Sequence, residues 1–180
     1  MPFAMAVAGL WVGDHTTWMR RAVTWSFFGV AILGAGILMG GAWAYEALSF
    51  GGFWAWDPVE NSSLVPWLVL VAGAHLLLIN RNKPGTAVTA TYLMVGLSFL
   101  LVVYSTFLTK RGFLGDTSVH SFVDSGILPQ LLAFLLGCCV LFTALTLPPG
   151  RERLVFTGLQ LALSIGCLLY TSPSPRDKTV

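Results

Sequence analysis

Long apolar stretches alternate with short polar breaks along the whole chain. Hydrophobic residues dominate 2–12, 23–48, 64–79, 86–108, 127–147 and 154–170. A helix needs ~20 apolar residues to cross a bilayer. Five of the stretches approach or exceed that length and read as full spans. The first is too short and reads as the end of a helix that begins earlier. The pattern therefore predicts an all-α fold, a polytopic transmembrane helix bundle with about five full spans plus a truncated first helix.

Composition agrees with the pattern. The chain has 180 residues, of which 56% are hydrophobic and 10% charged, and its mean hydropathy is +0.77. So few charges cannot cover the surface of a soluble domain of this length. A net charge of +2, scattered along the chain, gives no footprint for nucleic acid. Cys138, Cys139 and Cys167 lie inside apolar stretches without CxxC spacing, which excludes a zinc site and reads as buried thiols acting as small hydrophobes.

The breaks orient the spans. Arg20, Arg21, Arg81, Lys83, Arg151 and Arg153 fall on one side, against Lys110 and Arg111 on the other. Six basic residues against two place the first side in the cytoplasm. Residues 49–63 and 109–126 then share the non-cytoplasmic face, which in a bacterial inner membrane is the periplasm. The tail "TSPSPRDKTV" (171–180) breaks from the pattern and reads either as a solvated tail or as translated sequencing-adapter read-through, which "LLYTSPSPRD" resembles. Residues 1–170 form the membrane domain.

One break is unusual. "GGFWAWDPVEN", residues 51–61, concentrates aromatics, glycines and acids between two spans. Asp57 suits a helix N-cap, Pro58 the first helical position and Glu60 the third position of a capping box. On that reading Trp54 and Trp56 are interfacial anchors. The other reading is a platform: aromatics at this density, with glycines allowing close approach, suit a large planar ligand such as heme.

Heme needs axial ligands, and the chain has three histidines. His15, in "GDHTTWMRR", reads as an exposed loop residue. His75 lies about eleven residues into the stretch starting at Leu64, which at 1.5 Å per residue puts it ~16 Å deep, near the bilayer midplane. An ionisable residue there points to function, and a neutral imidazole is a good ligand to a b-type heme. His120, in "DTSVHSF", sits in the second outer loop, on the same face as the tryptophans.

Together these residues resemble the tryptophan-rich-motif heme-handling family, the cytochrome c assembly proteins of the CcmF and CcsA type. The CcmF branch reads roughly Trp-Gly-Gly-Trp-Trp-x-Trp-Asp-Pro-x-Glu-Asn. Here the motif is "FGGFWAWDPVEN", followed by "SSLVPWL", the in-membrane His75 and "YSTFLTKRGFLGDTSVHSF". The likeness covers about residues 1–165, and "WDPVEN" points to the CcmF side. Phe50, Phe53 and Ala55 depart from the pattern.

The resemblance implies roles. His120 is a ligand to a heme held on the tryptophan ledge, and His75 ligates a second heme iron, that of heme b. Gly52, Trp54, Trp56, Asp57, Pro58, Glu60 and Asn61 cradle the outer heme. The implied reaction is attachment of heme to apocytochrome c, in which two vinyl groups accept the thiols of a CxxCH segment. No residue is assigned a catalytic acid, base or nucleophile role. Lys110 and Arg111 can pair with propionates or simply cap a helix. Implied partners are apocytochrome c, a heme-chaperone donor, other cytochrome c maturation subunits and the lipid bilayer. The family also has an outer histidine before the motif and a second membrane histidine far downstream. Neither occurs in these 180 residues, so the sequence reads as one piece of a longer protein. Two other readings stay open: a heme transporter or passive carrier that forms no bond, and a structural subunit with an aromatic anchor.

Overall fold

The computed structural model describes residues 1–47, 53–54, 56–110 and 128–146. They form five helices and, among the described residues, no strand: α1 (Pro2–Val12), α2 (Thr17–Ala47), α3 (Pro58–Asn82), α4 (Val88–Lys110) and α5 (Leu128–Thr146). The all-α bundle expected from the pattern is what is found. The expected stretch at 154–170 lies outside the described residues.

Two helices start earlier than their apolar stretches, because their first turns are polar; for α3 this is the start that the Asp57–Pro58–Glu60 capping pattern predicts. α2 begins at Thr17 rather than near Val23. Gly13 ends α1 in the left-handed region (φ 74°). Asp14 then accepts the backbone N–H groups of Thr16 (3.1 Å) and Thr17 (3.0 Å) through Oδ1. These two bonds hold the Asp14 carboxyl below its ordinary value. Similarly, α3 begins at Pro58 rather than near Leu64, since Glu60, Asn61 and Ser62 are buried within the bundle.

α3 is the central element, packed against α2 and α4, while α5 lies on α4 and α1 touches α2, α4 and α5. Small residues let the backbones approach, as is usual where lipid gives no hydrophobic drive to associate. A Cβ on Gly73 would meet Met94 and Val95 of α4 at 3.5 Å, ordinary contact distance, so the two backbones lie close enough that only a small residue fits between them. Between α2 and α3, the Trp67 indole donates to the Val30 carbonyl at 2.9 Å, passing over Gly34.

Polar contacts fix which helix ends meet. Trp18 Nε1 donates to the Tyr92 hydroxyl at 2.8 Å, and Asn80 Nδ2 donates to Thr91 Oγ1 at 2.7 Å. The start of α2, the end of α3 and the start of α4 therefore share one end, over a core of Ala6, Trp18, Met19, Ala22, Val23, Leu77, Tyr92 and Val95. That end carries Arg20, Arg21 and Arg81. The opposite end packs Tyr104, Phe107 and Leu108 against Val59, Leu131 and Leu135.

Among the described residues three helices are long and apolar enough to cross a membrane: Thr17–Ala47, Pro58–Asn82 and Val88–Thr109; α5 is a shorter apolar helix. Phe28, Ile32, Leu38 and Met39 on α2 are exposed, an outer surface suited to lipid. The chain is a multi-pass membrane protein. Cys138 and Cys139 are free thiols only partly covered on α5, not the buried groups expected; Cys167 lies outside the described residues. Met19 of α2, Leu77 of α3, Val95 and Leu108 of α4 and Phe142 of α5 fill the interior, while Leu132, Phe134, Leu136 and Val140 leave most of α5 exposed.

Candidate functional site

The end opposite the basic residues is built around the start of α3. Asp57 is its N-cap, with extended backbone (φ −60°, ψ 142°), and Pro58 supplies a preset φ at the first helical position. A reciprocal capping box closes the turn. The Asp57 carboxylate accepts the Glu60 backbone N–H, and the Asp57 N–H donates to Glu60 Oε2 at 3.4 Å. Asn61 adds a third tie by donating from Nδ2 to the Trp56 carbonyl at 3.0 Å. Ser62 Oγ donates to the Val59 carbonyl (2.7 Å) and lies 3.0 Å from Ser105 Oγ, fastening this first turn to α4.

These bonds hold Trp56 in a conformation it would not choose. Its φ is +57°, in the left-handed region where a side chain crowds the backbone. The strain is sustained because the residues on its C-terminal side over-determine the turn. The result is an indole 63% exposed, beside Phe53 at 46%. Phe53 rests on Gly41 of α2, where a Cβ would lie 2.9 Å from its carbonyl and 3.0 Å from its ring.

The aromatic surface is not the flat ledge that the sequence suggests. Trp54 and Trp56 stand nearly perpendicular, with centroids 6.3 Å apart and planes at 87°. This is the edge-to-face arrangement that the ring quadrupole favours. Trp54 is turned inward, and its Nε1 is buried without a hydrogen-bond partner among the described residues. The exposed aromatics of the stretch are Trp56 and Phe53.

The structure thus divides the motif. Glu60 and Asn61, at 8% and 5% exposure, are turned to the backbone and could not touch a ligand outside the helix. With Asp57 and Pro58 they position the turn, and Trp56 is what they present. Gly52 and His120 lie outside the described residues, as does Arg111. Whether His120 meets the turn therefore stays an expectation.

His75 is on an exposed face of α3. Counted from the observed start of the helix it lies about 26 Å from Pro58 and about 10 Å from Asn82 at 1.5 Å per residue, roughly 7–8 Å to the basic side of the helix midpoint. Nδ1 is 2.7 Å from the Val71 carbonyl oxygen. A carbonyl can only accept, so Nδ1 carries a proton, and in the tautomer this bond selects the lone pair lies on Nε2. A second-nitrogen bond to a carbonyl is the usual way a metal-ligating imidazole is oriented. Phe27 of α2 stands against the ring at 6.0 Å between centroids, tilted 63°. The donor set fits an axial ligand to heme iron. His15 belongs elsewhere: it is exposed at the basic end, with Nδ1 3.4 Å from the Tyr92 hydroxyl.

Sequence reasoning missed Gly41 and Phe27, whose roles come from packing between helices. The "GG" at 40–41, directly before an aromatic cluster, was the available signal for the first; Phe27 gave none. Among the described residues no group of three His, Cys, Asp or Glu side chains could hold a bare metal ion.

Residues 4–114, which include most of α1, all of α2 to α4, the tryptophan turn and His75, match the family described as Cytochrome C assembly protein. The chain belongs to the cytochrome c assembly protein family. Its relatives include the cytochrome c-type biogenesis protein CcmF of Pseudomonas aeruginosa, 40% identical over 162 residues that cover 86% of this chain and 24% of that protein. The CcmF of Escherichia coli is 38% identical over 148 residues, 79% of this chain and 22% of its own length. The biogenesis protein CycK of Bradyrhizobium diazoefficiens is 34% identical over 189 residues, 96% of this chain and 28% of its own. The chain thus spans about a quarter of the length of these curated relatives. No solved structure matches it.

Proposed function

We propose that the chain is the heme-holding part of a bacterial inner-membrane protein of cytochrome c maturation, which presents heme on the periplasmic face for thioether attachment to apocytochrome c. The observation that carries the reading is the turn. An aromatic anchor at the bilayer interface needs no strained backbone, yet Trp56 is held at φ +57° by the Asp57–Glu60 box and Asn61. Strain that is maintained this way is a mark of a functional position. The separation of the turn from the end bearing Arg20, Arg21 and Arg81 supports its periplasmic placement.

In this mechanism heme is the substrate at the turn, and its vinyl groups supply the reactive carbons. Each cysteine S–H of the CxxCH segment adds across one vinyl double bond, sulfur to carbon and hydrogen to the neighbouring carbon, with no net redox change. The protein contributes orientation, which alone can supply several kcal/mol of a bimolecular barrier. Trp56 and Phe53 hold one face of the substrate, and His120 supplies an axial nitrogen. Gly52 permits close approach, and Lys110 and Arg111 offer cations to the propionates. His75 would hold a resident b-type heme within the span, keeping its Nε2 lone pair toward the iron, and that group supplies an electron relay when bound. The protein's heme donor is a heme chaperone, and other maturation subunits complete the complex.

The test is covalent transfer. The detergent-purified chain, loaded with ferrous heme, is incubated with an apocytochrome peptide containing CxxCH, and acid-stable heme on the peptide is measured. The reading expects transfer above the protein-free rate, lost in Trp56→Ala. Heme bound at the turn without any transfer would favour passive delivery instead. Equal transfer by Trp56→Ala and wild type would remove the turn from the reaction.

A further inference from the structure

Three small residues, Ala72, Gly73 and Ala74, precede His75 in a stretch otherwise made of leucine and valine. Packing explains two of them. Gly73 is buried against Met94 and Val95 of α4, and Ala74 is 0% exposed. Ala72 is exposed, as are Leu68 and Ile79 on the same face at helical spacing. Among the described residues nothing packs on it that would require a small side chain.

Its position relative to the imidazole supplies a reason. A helical side chain leans over the turn that precedes its own Cα. The bond from His75 Nδ1 to the Val71 carbonyl fixes the ring in that direction, over the Val71–Ala72 turn. Phe27 occupies one side of the ring. Positions 72 and 75 are neighbours on the helix surface at three-residue spacing, so a side chain larger than alanine at 72 comes within reach of the imidazole. We infer that Ala72 is the clearance position of the in-membrane heme site, its single methyl leaving Nε2 open to a flat iron porphyrin while Phe27 braces the imidazole. The inference rests on the reading of His75 as an axial ligand, and it names two positioning residues that the tryptophan motif does not include.

The test uses the full 180-residue chain in detergent, titrated with ferrous heme under carbon monoxide, which supplies the sixth ligand. The Soret band of the six-coordinate adduct reports binding. Wild type is compared with Ala72→Leu, Ala72→Phe and His75→Ala, and with Leu136→Phe as a bulky change on the exposed face of α5. The expected result is an affinity at least ten-fold weaker in Ala72→Phe and intermediate in Ala72→Leu, with Leu136→Phe like wild type. A second readout needs no heme: diethyl pyrocarbonate should modify His75 several-fold more slowly in Ala72→Phe, seen by peptide mass. If both Ala72 variants bind as wild type does and His75→Ala does not, the clearance role is wrong and the ligand stands. If His75→Ala binds as wild type, or wild type shows no His75-dependent adduct, both readings fall.

Discussion

Replacing Trp56 by glycine and, separately, by alanine distinguishes the strained backbone of the turn from the ring it carries. Both variants lose the same indole, 63% exposed, and so forfeit the same modest burial. They differ in the backbone at φ +57°. A left-handed conformation costs an L-residue about 1–2 kcal/mol that glycine escapes. Glycine gives back about 0.5–1 kcal/mol through the greater entropy of its unfolded chain. The glycine variant should therefore be the more stable by about 0.5–1 kcal/mol, the reverse of the order in an ordinary helix or strand. In a chain of this size that is about 1–4 °C in melting temperature, measurable by thermal unfolding in detergent. Both variants should bind less heme at the turn. An alanine variant as stable as the glycine variant, or more so, would refute the claim that the turn stores strain.

Other substitutions test the elements around it. Asn61→Ala removes the bond to the Trp56 carbonyl from a buried position and should lose about 1–2 kcal/mol, with faster hydrogen exchange in residues 56–60. Gly34→Ala places a Cβ 2.9 Å from Trp67 Nε1. The indole must then shift and its part-buried bond to the Val30 carbonyl weakens, at a loss of about 0.5–1.5 kcal/mol, read as a lower melting temperature. The Asp14 carboxyl is held below its ordinary value of 3.8 by the Thr17 and Thr16 amides. A depressed carboxyl stabilises the fold fully above 3.8 and loses that contribution as pH falls through its folded value. Asp14→Asn keeps a capping oxygen but does not titrate, so its melting temperature should fall less steeply on acidification than that of wild type.

Much of this was legible in the sequence because membranes impose a simple rule: a long apolar run must be a helix. The antiparallel order and the capping box at Asp57 and Glu60 were readable for the same reason, since each depends on residues close in sequence. The start of α2 was not: Thr17–Ala22 carries charges and hydroxyls that resemble a loop, and burial of Trp18 and Met19 comes from tertiary packing. The shape of the aromatic surface was equally hidden. Composition shows that Trp54 and Trp56 are present, whereas the 87° between them follows from a single positive φ. The depth of His75 shifted because it was counted from Leu64 instead of Pro58, and its neighbour Phe27 comes from another helix.

The most direct test of the account is a reduced-minus-oxidised absorption spectrum, with pyridine hemochrome quantitation, of the detergent-purified protein, its His75→Ala variant and its His120→Ala variant. The account predicts b-type heme in the wild type, with the in-membrane component lost in His75→Ala and the component at the turn lost in His120→Ala. Heme retained unchanged in both variants would contradict it, because neither histidine would then be a ligand.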